Sequence, residues 1–209
     1  MSEDKTYNLS DKSYLSLLFR SIFLIFLFII GEVLLITFIE KPLFYIVAVI
    51  YLLGVFGFCK IIKIKLFHWN IITKKQYMII FFSIAVMEVI NLVITSISPS
   101  INNENTLDNM TSGASILFLF FSFGILVPII EECIYRALLI KGIFRGFPII
   151  GSIVSIILFT LGHGPTNIWE YLIYGSSSII YVVTFMKTKR LEVPILIHIL
   201  NNSLAIFIS

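Results

Sequence analysis

Apolar runs that approach or exceed 18 residues recur along this chain, and they limit what it can fold into more than anything else in it. A run of that length matches the thickness of a bilayer's hydrocarbon core. In lipid every backbone N–H and C=O must be paired within the protein, which leaves helices or a closed barrel. The ten-residue alternating strands of a barrel are absent. The chain therefore reads as all-α, a polytopic transmembrane helix bundle. Charged residues make up 13% of it, against about a quarter in an ordinary soluble domain. Little chain is left for a separate soluble unit.

Seven spans are expected, at roughly 15–38, 43–59, 77–97, 114–140, 148–163, 168–186 and 192–208. They divide into an N-terminal three-span region, 1–113, of no assignable role and a four-span region, 114–209, within one continuous membrane domain. Lysine and arginine set the orientation. Lys60, Lys63, Lys65, Lys74 and Lys75 fall in the second connection, Lys141 and Arg145 in the fourth, and Lys187, Lys189 and Arg190 in the sixth. The third connection, PSINNENTLDNMTSG, has no basic residue. This pattern places the N-terminus in the cytoplasm. KIIKIKLFHW alternates basic and apolar residues, as an interfacial segment or a short basic loop would.

The mixed-charge start, MSEDKTYNLSDKS, leads into a long apolar run with no small-residue cleavage site, so no cleavable signal peptide is expected. Cys59 and Cys133 both lie in apolar runs. They form neither a disulfide framework nor a metal pattern, and a thiol in such surroundings is usually inert. The net charge of +3 reports orientation and is no sign of nucleic-acid binding.

A charge at mid-bilayer costs roughly 2.5–3.5 kcal/mol, so ionisable residues there pair, face the bundle interior or line a wet cavity. The stretch EECIYR puts three together. Glu132 and Arg136, four apart, share a helical face and can pair. Glu131 points about 100° away and has no local counter-ion. A desolvated carboxylate is a better proton acceptor. An interhelical ion-pair cluster is an equally good account of EExxxR taken alone. FTLGH ends at His163; a hairpin folded about Phe147 sets Glu131 and His163 sixteen residues each from the turn. HILNN puts His198 and Asn202 on one face. A polar helix–helix contact is the plain alternative for that pair. Together the groups could hydrolyse an acyl bond without a nucleophilic side chain. Glu131, helped by His163, would take a proton from water, and His198 with Asn202 would donate to the oxyanion. Glu32 and Glu88 belong to no pattern and read as structural groups, paired with Arg20 or with amides such as Asn91, or lining a substrate path.

EExxxR, FxxxH and HxxxN, in that order on successive helices, resemble the CPBP family (CAAX proteases and bacteriocin-processing proteins, also called Abi), which includes the type II CAAX prenyl endopeptidases. The similarity runs over roughly Phe118 to Ser209. The resemblance implies an intramembrane endopeptidase of glutamic type. By position, Glu131 activates water, Glu132 tied to Arg136 supports it, His163 assists, and His198 and Asn202 form the oxyanion hole. Tyr135 stands where Phe is usual in the family, and Ala137 where Gly is usual.

Two histidines and the carboxylates could hold zinc. No HExxH or HxxEH spacing is present, and a cation beside Arg136 would be repelled. The expected chemistry is metal-free and cofactor-free, with zinc the lesser alternative. The expected partner is a membrane-associated peptide or protein, with the lipid bilayer around it and no nucleic acid. The expected place is a bacterial cytoplasmic membrane, and the expected setting is peptide or bacteriocin processing or immunity. The rival is a non-catalytic membrane immunity or scaffold protein that keeps the motifs for folding. A proton-relay transporter fits less well, since no inverted halves or broken helix pairs appear.

Overall fold

The computed structural model describes residues 8–68, 70–98 and 115–208. Among these it is all-helical, with seven helices that follow the expected spans to within a few residues. They are α1 (Tyr14–Thr37), α2 (Pro42–Ile61), α3 (Lys74–Ile97), α4 (Ile116–Ile143), α5 (Pro148–Gly162), α6 (Ile168–Thr188) and α7 (Glu192–Ile208). The PSINNENTLDNMTSG connection, the first seven residues and Trp69 lie outside the described residues.

The ends of the helices are written locally. Pro42 and Pro148 open α2 and α5, where the missing N–H costs nothing. Thr73 and Gln76 form a reciprocal capping box at the start of α3. The Asn167 side chain accepts from the N–H groups of Trp169 and Glu170 at the start of α6. Gly146, at φ +93°, makes the tight turn between α4 and α5.

Four of the helices, α1 to α4, are long and apolar enough to cross a membrane. The helix α6 is long but carries more polar residues, and α5 and α7 are short. Fifteen residues of α5 rise roughly 22 Å, less than the ~30 Å of a hydrocarbon core. The end of α5, which carries His163, therefore stops within membrane depth.

Helices that are apolar all round do not announce which side faces inward. The structure selects narrow seams. In α1 the buried positions are Leu17, Ser21, Leu24, Phe28, Gly31 and Leu35. In α2 they are Tyr45, Ala48, Leu52, Val55 and Cys59. The alternation of three and four is that of coiled-coil seams. Small residues bring the backbones close, as is usual in membranes. A methyl added to Gly31 would run into Leu52 of α2, and one on Gly142 of α4 would run into Ser21 of α1.

The basic connections gather at one end of the bundle. Arg145 donates to the Lys12 carbonyl, Lys65 pairs with Asp11, and Arg190 donates to the carbonyls of Asn70 and Ile71. This is the end that the lysine and arginine count expects in the cytoplasm, and the described N-terminal residues lie there. In the stretch after α2, Ile64 and Leu66 are buried, and the Lys65 N–H donates to Leu9. The alternation thus packs the segment under the helix ends. Arg20 is not a partner for Glu32: it donates to the Ile62 carbonyl at 2.7 Å. Glu88 is exposed on α3.

Candidate active site

The site is built around α4, and its shape starts with Pro128. Residues 120–126 of α4 wind in wide turns, with the Val127 N–H bonded to the carbonyl of Ser122, five residues back. In that register the next donor would be residue 128, which is proline and has no N–H. The Phe123 carbonyl is thereby left for another partner, and a buried carbonyl needs one. Asn202 of α7 supplies it, its Nδ2 donating at 3.0 Å. Past this junction α4 presents Glu131 and Glu132, then winds wide again over Cys133–Ile143.

Glu132 and Arg136 are fully buried and lie 3.0 Å apart, Nε to Oε2. The contact is an ion pair without hydrogen-bond alignment. Arg136 is held from other sides. One terminal nitrogen donates to the hydroxyl of Ser178 on α6 at 3.3 Å. The guanidinium also lies over the rings of Phe159 (4.7 Å) and Tyr181 (5.4 Å). A charge this deep persists because it is paired and boxed.

Two imidazoles converge on Glu131. His163, at the end of α5, donates from Nδ1 to the Phe159 carbonyl at 2.8 Å, which turns Nε2 toward Glu131 at 4.0 Å. Its ring leans on Phe159 and Tyr174. His198 of α7 donates from Nδ1 to Glu132 at 3.3 Å and presents Nε2 to the other oxygen of Glu131 at 3.6 Å. Stacking on Tyr181, with centroids 4.6 Å apart, fixes that ring. Glu131 is thus flanked by the Nε2 atoms of two rings whose Nδ1 atoms are already committed. Among Glu131, Glu132, Arg136 and His198, two carboxyl groups face a single guanidinium, one positive charge short of balance. A single added proton balances it, and Glu131, His163 and His198 are placed to share that proton.

The structure therefore brings Glu131, Glu132, Arg136, His163 and His198 together. Asn202 lies one turn beyond His198 on α7, with one N–H spent on Phe123 and its oxygen accepting from Asn201 at 3.4 Å. Two further residues lie near the site: Glu32, which the sequence reads as structural or as lining a substrate path, and Tyr135, which it marks only as standing where Phe is usual. Glu32 of α1 lies in the neighbourhood of both Glu131 and Tyr135. Tyr135 packs edge-on against Phe159. No local pattern marks Glu32, whereas the spacing of Tyr135 from Glu131, four residues, was visible. As a zinc site the set fits poorly. Glu132 is tied to a guanidinium, and among the described residues no group of three His, Cys, Asp or Glu side chains is disposed to hold a metal ion.

Comparison with known proteins bears out the family resemblance over the region that holds the site. Residues 113–204 match the family model described as type II CAAX prenyl endopeptidase Rce1-like. The chain is 31% identical over 98 residues to the membrane-embedded CAAX protease MroQ of Staphylococcus aureus (strain USA300), covering 43% of this chain and 38% of that one. Two proteins of Lactococcus lactis subsp. lactis (strain IL1403) are also similar. UPF0177 protein YvdC is 23% identical over 128 residues, 61% of this chain and 49% of that one. UPF0177 protein YbdI is 30% identical over 98 residues, 47% and 52%. The matched segments span about half or less of these relatives. No solved structure matches.

Proposed function

We propose, for an integral membrane protein whose residues 113–204 are Rce1-like, a metal-free intramembrane endopeptidase in which Glu131 activates water. The observation that carries the reading is the convergence of His163 and His198 on the two oxygens of Glu131, three helices meeting at one carboxylate. Glu131 takes a proton from water as the water oxygen bonds to the substrate carbonyl carbon. Glu132 holds His198 by Nδ1, so Nε2 is the ring atom turned to the reacting carbonyl, and it donates to the developing oxyanion when it carries the proton that the cluster shares. The remaining N–H of Asn202 is the second donor of the notional oxyanion pair. The C–N bond breaks as the proton held by Glu131 passes to the leaving amine. His163, its tautomer fixed by Phe159, supports Glu131 through these transfers. Arg136 holds Glu132 and so holds His198.

The substrate in this reading is a membrane-associated peptide or protein, reached from the bilayer or the cytoplasmic end. The proposed setting is peptide maturation, bacteriocin processing or immunity in a bacterial membrane. The non-catalytic scaffold differs in one respect that can be measured. Glu131→Gln and His163→Ala should abolish the appearance of new membrane-peptide termini, read by mass spectrometry, while inserting and folding normally. Both variants retaining full cellular function would support the scaffold.

A further inference from the structure

We propose that the Tyr135 hydroxyl donates a hydrogen bond to the reacting carbonyl oxygen beside Glu131, and that Gly162 is the residue that admits it. This deepens the endopeptidase reading and rests on it. Tyr135 is four residues after Glu131, on the same helical face. Side chains on a helix lean toward its N-terminus, so the phenol runs back to the level of Glu131. Its ring stands edge-on to Phe159 at 5.4 Å. Its hydroxyl reaches α5 one residue before His163, where a methyl on Gly162 would stand 3.0 Å from the oxygen. Glu131 and Glu32 both lie in the neighbourhood of the phenol. Tyr135 is half-buried, and among the described residues its hydroxyl makes no hydrogen bond.

The other donors near Glu131 are each partly engaged. One N–H of Asn202 is given to Phe123, and Nδ1 of His198 to Glu132. A neutral phenol adds an uncommitted O–H to a site otherwise made of carboxylates, imidazoles and one enclosed guanidinium. A phenylalanine at 135 would fill the same space against Phe159 and supply no donor.

The test uses the full chain. Cells lacking it are re-supplied with wild type, Glu131→Gln, Tyr135→Phe, Gly162→Ala or the Tyr135→Phe/Gly162→Ala double variant. New termini of membrane peptides are followed over time by mass spectrometry. Folded amount and melting midpoint are measured on the purified variants. Tyr135→Phe is expected to slow cleavage about 100-fold, the effect of losing one oxyanion donor, with folded amount and melting midpoint unchanged. Gly162→Ala is expected to slow it as well, by displacing the hydroxyl. The double variant is expected to be no slower than Tyr135→Phe alone. Cleavage by Tyr135→Phe at the wild-type rate, with Glu131→Gln inactive, overturns this inference and leaves the endopeptidase reading standing. So does loss of folded protein in Tyr135→Phe, or slowing by Gly162→Ala that multiplies with it. Glu131→Gln cleaving normally, or wild type restoring no termini, overturns both.

Discussion

The N-terminal and C-terminal halves are both built from apolar helices but use them differently. In α1, α2 and α3 only 28%, 28% and 22% of the spanning window is buried inside the protein, whereas in α4 it is 44%. Much of the first three helices is apolar surface facing outward, including Phe19, Phe26, Leu53 and Phe81. The helix α4 turns its ionisable residues inward, with Glu132 and Arg136 fully enclosed and His198 of α7 almost so. Lipid rewards an apolar side chain about as well as a protein interior does, so packing in a membrane is driven by close contact and polar pairing. One half supplies surface and a lateral wall; the other concentrates the groups that lipid will not accept. Glu32 is the exception that joins them, an α1 residue in the neighbourhood of the α4 carboxylate.

If this contrast is right, stability should respond to substitution far more strongly inside the α4 cluster than on the outer faces. The largest loss is expected from Arg136→Ala, which strands Glu132 in a closed interior. Breaking one partner of a buried pair costs about 3–5 kcal/mol. The variant should lose most of its folded, monodisperse fraction in detergent as well as its activity; a well-folded and fully active Arg136→Ala would contradict the pairing. A smaller loss, about 1–3 kcal/mol from overpacking, is expected from Gly142→Ala at the seam where the two halves touch. Pairing it with Ser21→Gly should restore most of the melting midpoint, because Ser21 is what the added methyl meets. The smallest effect is expected from Phe81→Leu on the outer face of α3, within about 0.5 kcal/mol, as for surface substitutions away from special features. A large loss there would show that α3 is covered by something other than lipid.

Much of this organisation was legible beforehand, and the parts that were not share a cause. The basic connections separate the expected spans, and Pro42, Pro148 and the Thr73 cap sit at the observed helix starts. EExxxR put Glu132 and Arg136 on one face, and the hairpin count about Phe147 brought Glu131 opposite His163. The basic–apolar alternation after α2 was less informative, because it fits a membrane surface and a tucked segment equally well; contact with Leu9 decided it. Asn202 was legible as a polar residue one turn from His198. Its bond to Phe123 follows from the wide turns before Pro128, which no residue pattern announced.

The sequence by itself determined the spans, their order, the basic connections between them, and the short list of ionisable residues that had to be sheltered. Those are local properties, settled by about twenty residues of hydropathy or by spacing along one helix. Only the tertiary structure decided which sheltered groups meet: Glu131 with two imidazoles, Glu132 with Arg136 and His198, Tyr135 with Gly162, and Glu32 with the cluster. Each meeting depends on how a helix is rotated about its own axis and how deep it sits. A helix that is apolar on every side carries no hydrophobic signal that fixes either one.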